Sequence, residues 1–460
     1  MPASTSERTA VSGGEFRPTL RLALPLIIAE VGWMSMGVVD TIMVGRLPNS
    51  AVAIGATGLG QSLYAVVAIF GGGLLLGMDT FVAHAYGRQD LSDARNTLWN
   101  GLVLATMLTP PLMLLVSLWP ALMERFAISL ELVGPMRSFL WALNCGTWPL
   151  LAYFTLRRYL QAVNIALPIM FALISANMVN ALGDWILIYG HLGFRPLGVA
   201  GSGWSTFFAR IYLLWVLATT VVWTERKRRV SPRAGASWAK IDAQRISTLL
   251  KLGLPAGAQI LLEIGAFATA TALCAKLGPL QLSGHEIALN CASFTFMVPL
   301  GISSAAAVRV GHALGRRDAL GARRAGWSAI LLGAGFMTCA GLVFVSVPRL
   351  IARAFSPDPT VVRVGAKLLL VAAAFQLFDG VQVVTTGALR GAGDTKTPMV
   401  ANLVAYWLIG IPLGYLLCFR VGWGALGVWI GLCTGLMIIG SALALTWRQK
   451  PLFAVRPHTA

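Results

Sequence analysis

Seven carboxylates of this 460-residue chain fall inside long apolar stretches: Glu30, Asp40, Asp79, Asp184, Glu263, Glu286 and Asp379. An ionisable side chain within hydrocarbon costs a few kcal/mol or more, so each is a candidate functional group. Glu263 lies mid-stretch with no basic neighbour in sequence, and Asp379 falls about four residues from the middle of its own stretch. Two such acids brought together repel, which favours holding a proton. The same oxygens attract Na⁺, because hard cations prefer oxygen ligands. Asp40 and Asp184 form a second expected pair in the outer halves of their helices, with Asn180 one helical turn from Asp184 on the same face. The alternative for all of them is a polar hydrogen bond between helices. Asp79 reads as a helix-end or loop-packing group, and Glu286 as an acid near a helix N-terminus. Glu30 has no evident partner and divides between substrate contact and internal hydrogen bond. Aromatic residues recur near these acids by spacing, among them Trp33, Trp185, Phe267, Phe375, Phe378 and Trp407. Aromatic faces combined with carboxylates suit lipophilic cations, and packing or lipid contact is the alternative for each ring.

The elements that carry these residues are legible from composition. Hydrophobic residues make up 57% of the chain and charged residues only 12%, against about 25% charged in soluble domains. The apolar residues form twelve runs, at about 19–45, 51–80, 96–119, 134–160, 166–190, 199–223, 248–277, 284–308, 325–347, 362–388, 396–420 and 424–447. Crossing a bilayer takes about 20 such residues. The runs lack the alternation of barrel strands, so the expected fold class is an all-α polytopic membrane protein with twelve transmembrane helices. With the N-terminus inside, 25 Lys and Arg fall in cytoplasmic segments, including Arg157 and Arg158, against 10 outside, while Arg210 sits within a run. That bias places both termini in the cytoplasm of a bacterial inner membrane. It also accounts for the +18 net charge without nucleic acid as a partner; the partner expected is the lipid bilayer, with anionic headgroups near the basic loops. The six cysteines read as buried and structural, with no metal knuckle.

The connection between Trp223 and Lys251 divides the runs into two sets of six that echo each other. Pro25 and Pro255 are 230 residues apart, and His84-Ala-Tyr-Gly-Arg-Gln-Asp90 returns as His312-Ala-Leu-Gly-Arg-Arg-Asp318 at an offset of 228. Pro168 and Pro398 are again 230 apart, each preceded four residues earlier by a short polar residue, Asn164 or Asp394, able to cap the next helix. The expected organisation is a tail 1–18, an N-lobe 19–223, a linker 224–247, a C-lobe 248–447 and a tail 448–460. Even-numbered parallel repeats are a transporter architecture. No GxxxxGK[ST], HExxH or GxSxG constellation occurs, so neither a P-loop ATPase nor a hydrolase is indicated, and energy must come from an ion gradient unless the path is passive.

Three segments resemble one known family. LPLIIAEVGWMSMGVVDTIMVG (24–45), GHEIALNCASFTFMVPLGISSAAAVRVGHALG (284–315) and FQLFDGVQVVTTGALRGAGDTKTP (375–398) are similar to segments of the MATE (multidrug and toxic compound extrusion) transporters, NorM-like branch, and the similarity runs over about 20–447. The resemblance implies two pseudo-symmetric six-helix lobes around a central cleft. It implies secondary active efflux of cationic amphiphilic compounds in exchange for Na⁺ or H⁺, with no enzymatic activity and no cofactor beyond the coupling ion. It places cation-binding acids at Glu263 and Asp379; Asp40 matches the family's first-helix aspartate, and Asp184 falls where members vary between Asn and Asp. Phe375 stands where some members carry a tyrosine near the ion. Na⁺ coupling through Glu263 and Asp379 is the preferred expectation, aided by Asn290 if its helix turns it inward; H⁺ coupling through Asp40, Asp184 and Asn180 is a near equal. Glu30, Trp33, Phe267, Phe375 and Phe378 are the expected cleft contacts, and a monomer is expected. A lipid-linked precursor flippase, a channel and a membrane-embedded enzyme are the alternatives, the last lacking a metal or nucleophile constellation.

Overall fold

The computed structural model describes residues 16–125, 130–229 and 240–452. The expected tails 1–18 and 448–460 and the linker 224–247 therefore fall partly outside the described residues. Every described element is helical. In chain order they are α1 (Phe16–Val44), α2 (Ser50–Leu74), α3 (Gly77–Gly87), α4 (Leu91–Arg125), α5 (Leu130–Cys145), α6 (Thr147–Ala162), α7 (Leu167–Tyr189) and α8 (Val199–Arg229). The second series is α9 (Ala243–Ala275), α10 (Pro279–Gly315), α11 (Ala319–Ser346), α12 (Pro348–Phe355), α13 (Pro359–Gly391), α14 (Lys396–Asn402), α15 (Ile411–Tyr415) and α16 (Ala425–Gln449). Eleven described stretches are long and apolar enough to span a membrane, counting 50–87 and 396–420 as one each. Their outward faces carry unpartnered apolar side chains such as Leu114, Leu118, Trp215, Phe294 and Leu342, each more than half exposed, the dress of a lipid-facing surface.

The fourth expected run, 134–160, is not one helix. It is α5 followed by α6, interrupted at Gly146, where an added Cβ would press on the Arg210 side chain and the Leu143 carbonyl. The eleventh run also departs from regularity. Between α14 and α15, and again at 416–420, the backbone widens into π-type turns. Two causes are visible: Pro412 lacks the N–H an α-helix needs, and Gly410 and Gly414 bring this helix backbone to backbone with Gly431 of α16.

The repeat is visible in backbone detail. Asn164 and Gly393 both adopt the left-handed conformation (φ 67° and 78°) just beyond α6 and α13. In both places the next residue's N–H returns to the helix, Ile165 to the Leu160 carbonyl and Asp394 to that of Leu389. The counterpart of Asn164 is thus Gly393, at an offset of 229, and the two are C-terminal stops. Only Asp394 caps the following helix, accepting from the Thr397 N–H at 3.0 Å. Burial alone would raise the Asp394 carboxyl, but hydrogen bonds from Lys450 and Thr397 and the Lys450 charge bring it below the usual range.

The chain forms two compact units. One comprises residues up to Ile27 together with Ala258 onward; the other is Ile28–Gly257. Two helices therefore contribute to both: α1 changes unit after Ile27 and α9 after Gly257, each two residues beyond the repeated proline. Within Ile28–Gly257, the start of α9 seats against the junction of α2 and α3. An added Cβ on Gly253 would collide with the Leu74 carbonyl, and one on Gly77 would come within 2.7 Å of the Leu249 oxygen. Within the other unit, α10 meets the start of α1 in the same manner, an added Cβ on Gly301 reaching 2.7 Å from the Ile27 nitrogen.

Because backbone cannot yield as a side chain can, Gly253→Ala should lower stability by about 1–3 kcal/mol, the range of overpacking. Gly335→Ala, with open space at its Cβ, should be neutral. Thermal unfolding in detergent, followed by size-exclusion monodispersity, reads both; equal behaviour of the two variants would refute the close approach.

Candidate functional site

In the unit Ile28–Gly257, α1, α7 and α8 bring Asp40, Asn180 and Asp184 together, all buried. Thr206 donates to Asp40 Oδ2 at 3.3 Å, and Asp184 and Asn180 lie alongside the same carboxylate. Asn180 donates to Ser205 Oγ at 2.9 Å, and that hydroxyl donates to the Asn180 carbonyl at 2.6 Å. Helical spacing explains the convergence: Asn180 and Asp184 are one turn apart, as are Ser202 and Thr206. Asp40 Oδ1, both Asp184 oxygens and Asn180 Oδ1 have no protein partner. The result is an oxygen-rich cluster with acceptors to spare.

Sequence reasoning missed Thr206, Ser205 and Arg210 here. Arg210 lies one turn beyond Thr206 and is buried. It donates to Tyr64 Oη at 2.8 Å and to the Leu143 carbonyl at 3.0 Å, with its guanidinium 4.6 Å from the Tyr64 ring centre. Its charge reaches Asp40 although no ion pair forms. The interruption at Gly146 leaves the room that this guanidinium occupies. The signal was present as a basic residue at the middle of a run, far from either end.

The second acid pair lies in the other unit. Asp379 of α13 is buried and close enough to Glu263 of α9 for the charges to interact. Gln259 points its amide toward Glu263 at 3.5 Å, one turn earlier on α9, and Gln382 faces Glu263 from α13. Tyr406, fully buried, lies within the field of both acids. Among the described residues no Lys or Arg pairs with Asp40, Asp184, Glu263 or Asp379. Asn290 does not join them; its side chain is exposed and donates to the Glu286 carbonyl of its own helix. Glu286 itself sits two turns into α10, which begins at Pro279, and not at the helix N-terminus.

Aromatic rings wall this pair. Phe267 meets Phe375 edge-on at 6.0 Å and Tyr406 at 6.1 Å, and Phe375 lies 5.8 Å from Trp429. Trp429 donates to His285 Nδ1 at 3.0 Å, so the imidazole proton sits on Nε2 and faces Thr271 Oγ1 at 2.8 Å. Phe378 points elsewhere and packs on Gly440 of α16. Trp407 donates to the Leu262 carbonyl, and Trp185 stacks on His191.

Glu30 resolves differently from its expectation. It forms a buried ion pair with Arg157 of α6, beside Tyr153. Trp33 stacks parallel to the Tyr153 ring at 6.2 Å and lies 5.7 Å from Phe154. Asp79 lies in the first turn of α3, a helix end as expected, and there it is fully buried and pairs with Arg158 at 3.4 Å. Arg157 and Arg158 are thus helix-borne counter-ions rather than loop charges: α6 runs on to Ala162 and carries Arg157 buried and Arg158 half-buried. The cysteines also differ in part, since Cys339 is exposed and Cys145 and Cys291 are half-buried; all six are free.

Breaking a buried pair leaves an uncompensated charge, whereas removing both charges does not. Glu30→Gln should therefore cost about 3–5 kcal/mol of stability, and Glu30→Gln with Arg157→Met should recover most of it. A double-mutant cycle on thermal stability measures this; an additive double variant would show that the pair contributes nothing.

The MatE family model matches the chain twice, over residues 25–186 and 255–416, the same 230-residue interval as the prolines. The probable multidrug resistance protein NorM of Mesorhizobium japonicum is 36% identical over 450 residues, covering 96% of this chain and 95% of its own length. The multidrug resistance protein NorM of Burkholderia vietnamiensis is 36% identical over 438 residues, covering 94% and 92%. Among solved structures, the eukaryotic MATE transporter AtDTX14 shares the fold with a TM-score of 0.85 at 21% identity, covering 95% of this chain and 96% of that one. An outward-facing MATE family transporter of the MOP superfamily matches with a TM-score of 0.82 at 19% identity, covering 97% and 98%. The chain belongs to the MatE family of transporters, on its NorM-like branch.

Proposed function

We propose that this protein is a multidrug efflux antiporter that exports cationic amphiphilic compounds in exchange for a cation, from a bacterial inner membrane with both termini in the cytoplasm. The relatives' printed names support the efflux of drugs. The observation that carries the coupling is one carboxylate pair in each unit, Asp40 with Asp184, both buried, and buried Asp379 with half-buried Glu263, none bound to a basic side chain among the described residues. An acid with no fixed counter-ion inside a membrane protein is suited to a transient one.

Na⁺ at Glu263 and Asp379 is the first choice. The two carboxylates, the Gln259 and Gln382 amide oxygens and water supply the several oxygens a hard cation needs. Phe375 provides no oxygen, so Tyr406 is the phenol nearest these acids by its field. The second reading is H⁺ at Asp40 and Asp184, favoured by two acids side by side whose oxygens exceed the donors around them. The lobes, 19–223 and 248–447 with linker 224–247, carry one pair each. Trp33 and Phe267 are the proposed aromatic contacts for substrate; Glu30, closed on Arg157, and the packed Phe375 and Phe378 bound the sites from behind. The protein is expected to work as a monomer without a cofactor.

Substrate efflux from proteoliposomes, with membrane potential clamped and either a Na⁺ or a pH gradient imposed, tests this. Glu263→Gln or Asp379→Asn should lower Na⁺-driven efflux by about tenfold or more, equivalent to ~1.4 kcal/mol or more, in protein that still folds and inserts. An amide keeps the shape but cannot balance a cation. Full stimulation by a pH gradient alone, abolished by Asp40→Asn or Asp184→Asn, would transfer the role to the other pair. Undiminished gradient-driven efflux in all four variants would reject both.

A further inference from the structure

Beyond the acid pair, α13 continues as a buried polar stripe. Asp379, Gln382, Thr386 and Arg390 follow at intervals of three, four and four residues, which keeps them on one face of the helix. All are at least nine-tenths buried. The adjoining face is different in kind: Gly387 and Gly391 press against the Ser303 and Ala307 carbonyls of α10, so the polar stripe lies beside a dry helix contact and not within it.

A second polar line runs along the next transmembrane segment. Asn402 and Tyr406 are one turn apart and both fully buried. Depth can be compared from the short connection 392–395. At 1.5 Å per residue of α-helix, Thr386 and Asn402 lie about 7–9 Å in, Gln382 about 13–15 Å and Asp379 roughly 18 Å in, while Tyr406, four residues beyond Asn402 in the π-widened stretch, lies at most as deep as Gln382. The two lines are therefore level with each other and converge on the acids, whose charges reach Tyr406. The helices that carry them both pack closely on α16 and not closely on each other.

These side chains hold more hydrogen-bonding capacity than the protein uses. Gln382 Oε1, Thr386 Oγ1, Tyr406 Oη, Asn402 Oδ1 and Thr395 Oγ1 are buried with no protein partner. One such atom in a membrane interior costs free energy; five in sequence, from the acid pair to the end of the helix, describe a lining. Buried water typically makes about three hydrogen bonds to groups of this kind.

We propose that Gln382, Thr386, Thr395, Asn402 and Tyr406 line a file of water molecules joining Glu263 and Asp379 to the 392–395 end of the unit, and that the coupling ion exchanges with the acids along it. The proposal deepens the ion-coupled reading and rests on it for the ion, not for the water. Waters spaced by about 2.8 Å would number roughly six over this distance. A proton passes by forming one O–H bond on each water as the next is broken, leaving every water neutral; Na⁺ would move with water and the hydroxyl and amide oxygens as ligands.

Hydroxyl-radical footprinting of the full-length protein in nanodiscs tests the water directly. Tyr406 should be oxidised at a rate comparable to exposed aromatic residues. Tyr64, equally buried but bonded through its hydroxyl to Thr147 and Arg210, should stay protected. Transport tests the role: Thr386→Val and Asn402→Leu should slow gradient-driven efflux about tenfold (~1.4 kcal/mol) with equilibrium substrate binding unchanged, and Thr386→Ser should restore it. A protected Tyr406 overturns the file, and an oxidised Tyr406 with wild-type rates in both variants overturns its role in exchange. If wild-type efflux responds to no ion gradient, the coupling reading itself fails, while the footprint still decides whether the water is there.

Discussion

Hydrocarbon offers no hydrogen bonds, so each buried polar group of this chain must find its complement inside the protein. Most of the structure follows from how that demand is met. Where complement is found, as between Glu30 and Arg157 or Asp79 and Arg158, the charges become fixed struts that tie α1 and α3 to α6. Where it is withheld, as at Asp40 and Asp184, the acids keep acceptor capacity beyond what their neighbours use, and Glu263 and Asp379 meet no basic side chain among the described residues. Helix contacts elsewhere are left to glycine and shape. The contrast between satisfied and unsatisfied acids, more than the presence of acids as such, separates scaffold from candidate site.

That distinction explains what could be read in advance. Long apolar runs announce helices regardless of context, and among the described residues eleven of the twelve emerged as spans. The fourth failed because a glycine inside an apolar stretch carries no periodic signal: Gly146 interrupts the helix for the sake of a guanidinium contributed by α8. The acids were legible because each is costly in place. Their partners were not, since pairing depends on which helix faces turn toward one another. Glu30 looked solitary because its counter-ion is 127 residues away, and Arg157 looked like a loop charge because a basic residue near a helix end reads the same whether it faces inward or outward. Asn290 shows the reverse error, a suitable residue type placed on the wrong face. Gln382, Thr386 and Tyr406 gave too weak a signal, because neutral polar residues in apolar runs are common enough to pass as packing.

The aromatic residues divide on the same principle. Trp429 and His285 are locked by a complete chain of donors and acceptors through Thr271, and that rigidity backs the Phe375 ring against the second acid pair. Trp33 has no such anchor; it leans on Tyr153 and Phe154 by ring contact alone, which permits sliding. The two walls thus differ in kind, one fixed by hydrogen bonds and one held by ring contact alone, and a transporter of varied compounds has use for both.

The division of α1 and α9 has a consequence for biosynthesis. Each compact unit is completed by the opening segment of a helix whose remainder belongs to the other. During synthesis the unit that begins at Ile28 cannot close when its own six spans have emerged, because the seat at Leu74 and Gly77 waits for residues around Gly253. Its completion is thereby delayed until the central linker and the first turns of α9 have left the ribosome. The residues before Ile28 are held over still longer, for helices not yet made. The two halves repeat one another, but each unit is completed by a segment from the other half, so their separation onto two chains would require the fragments to trade these helical leaders before either could mature.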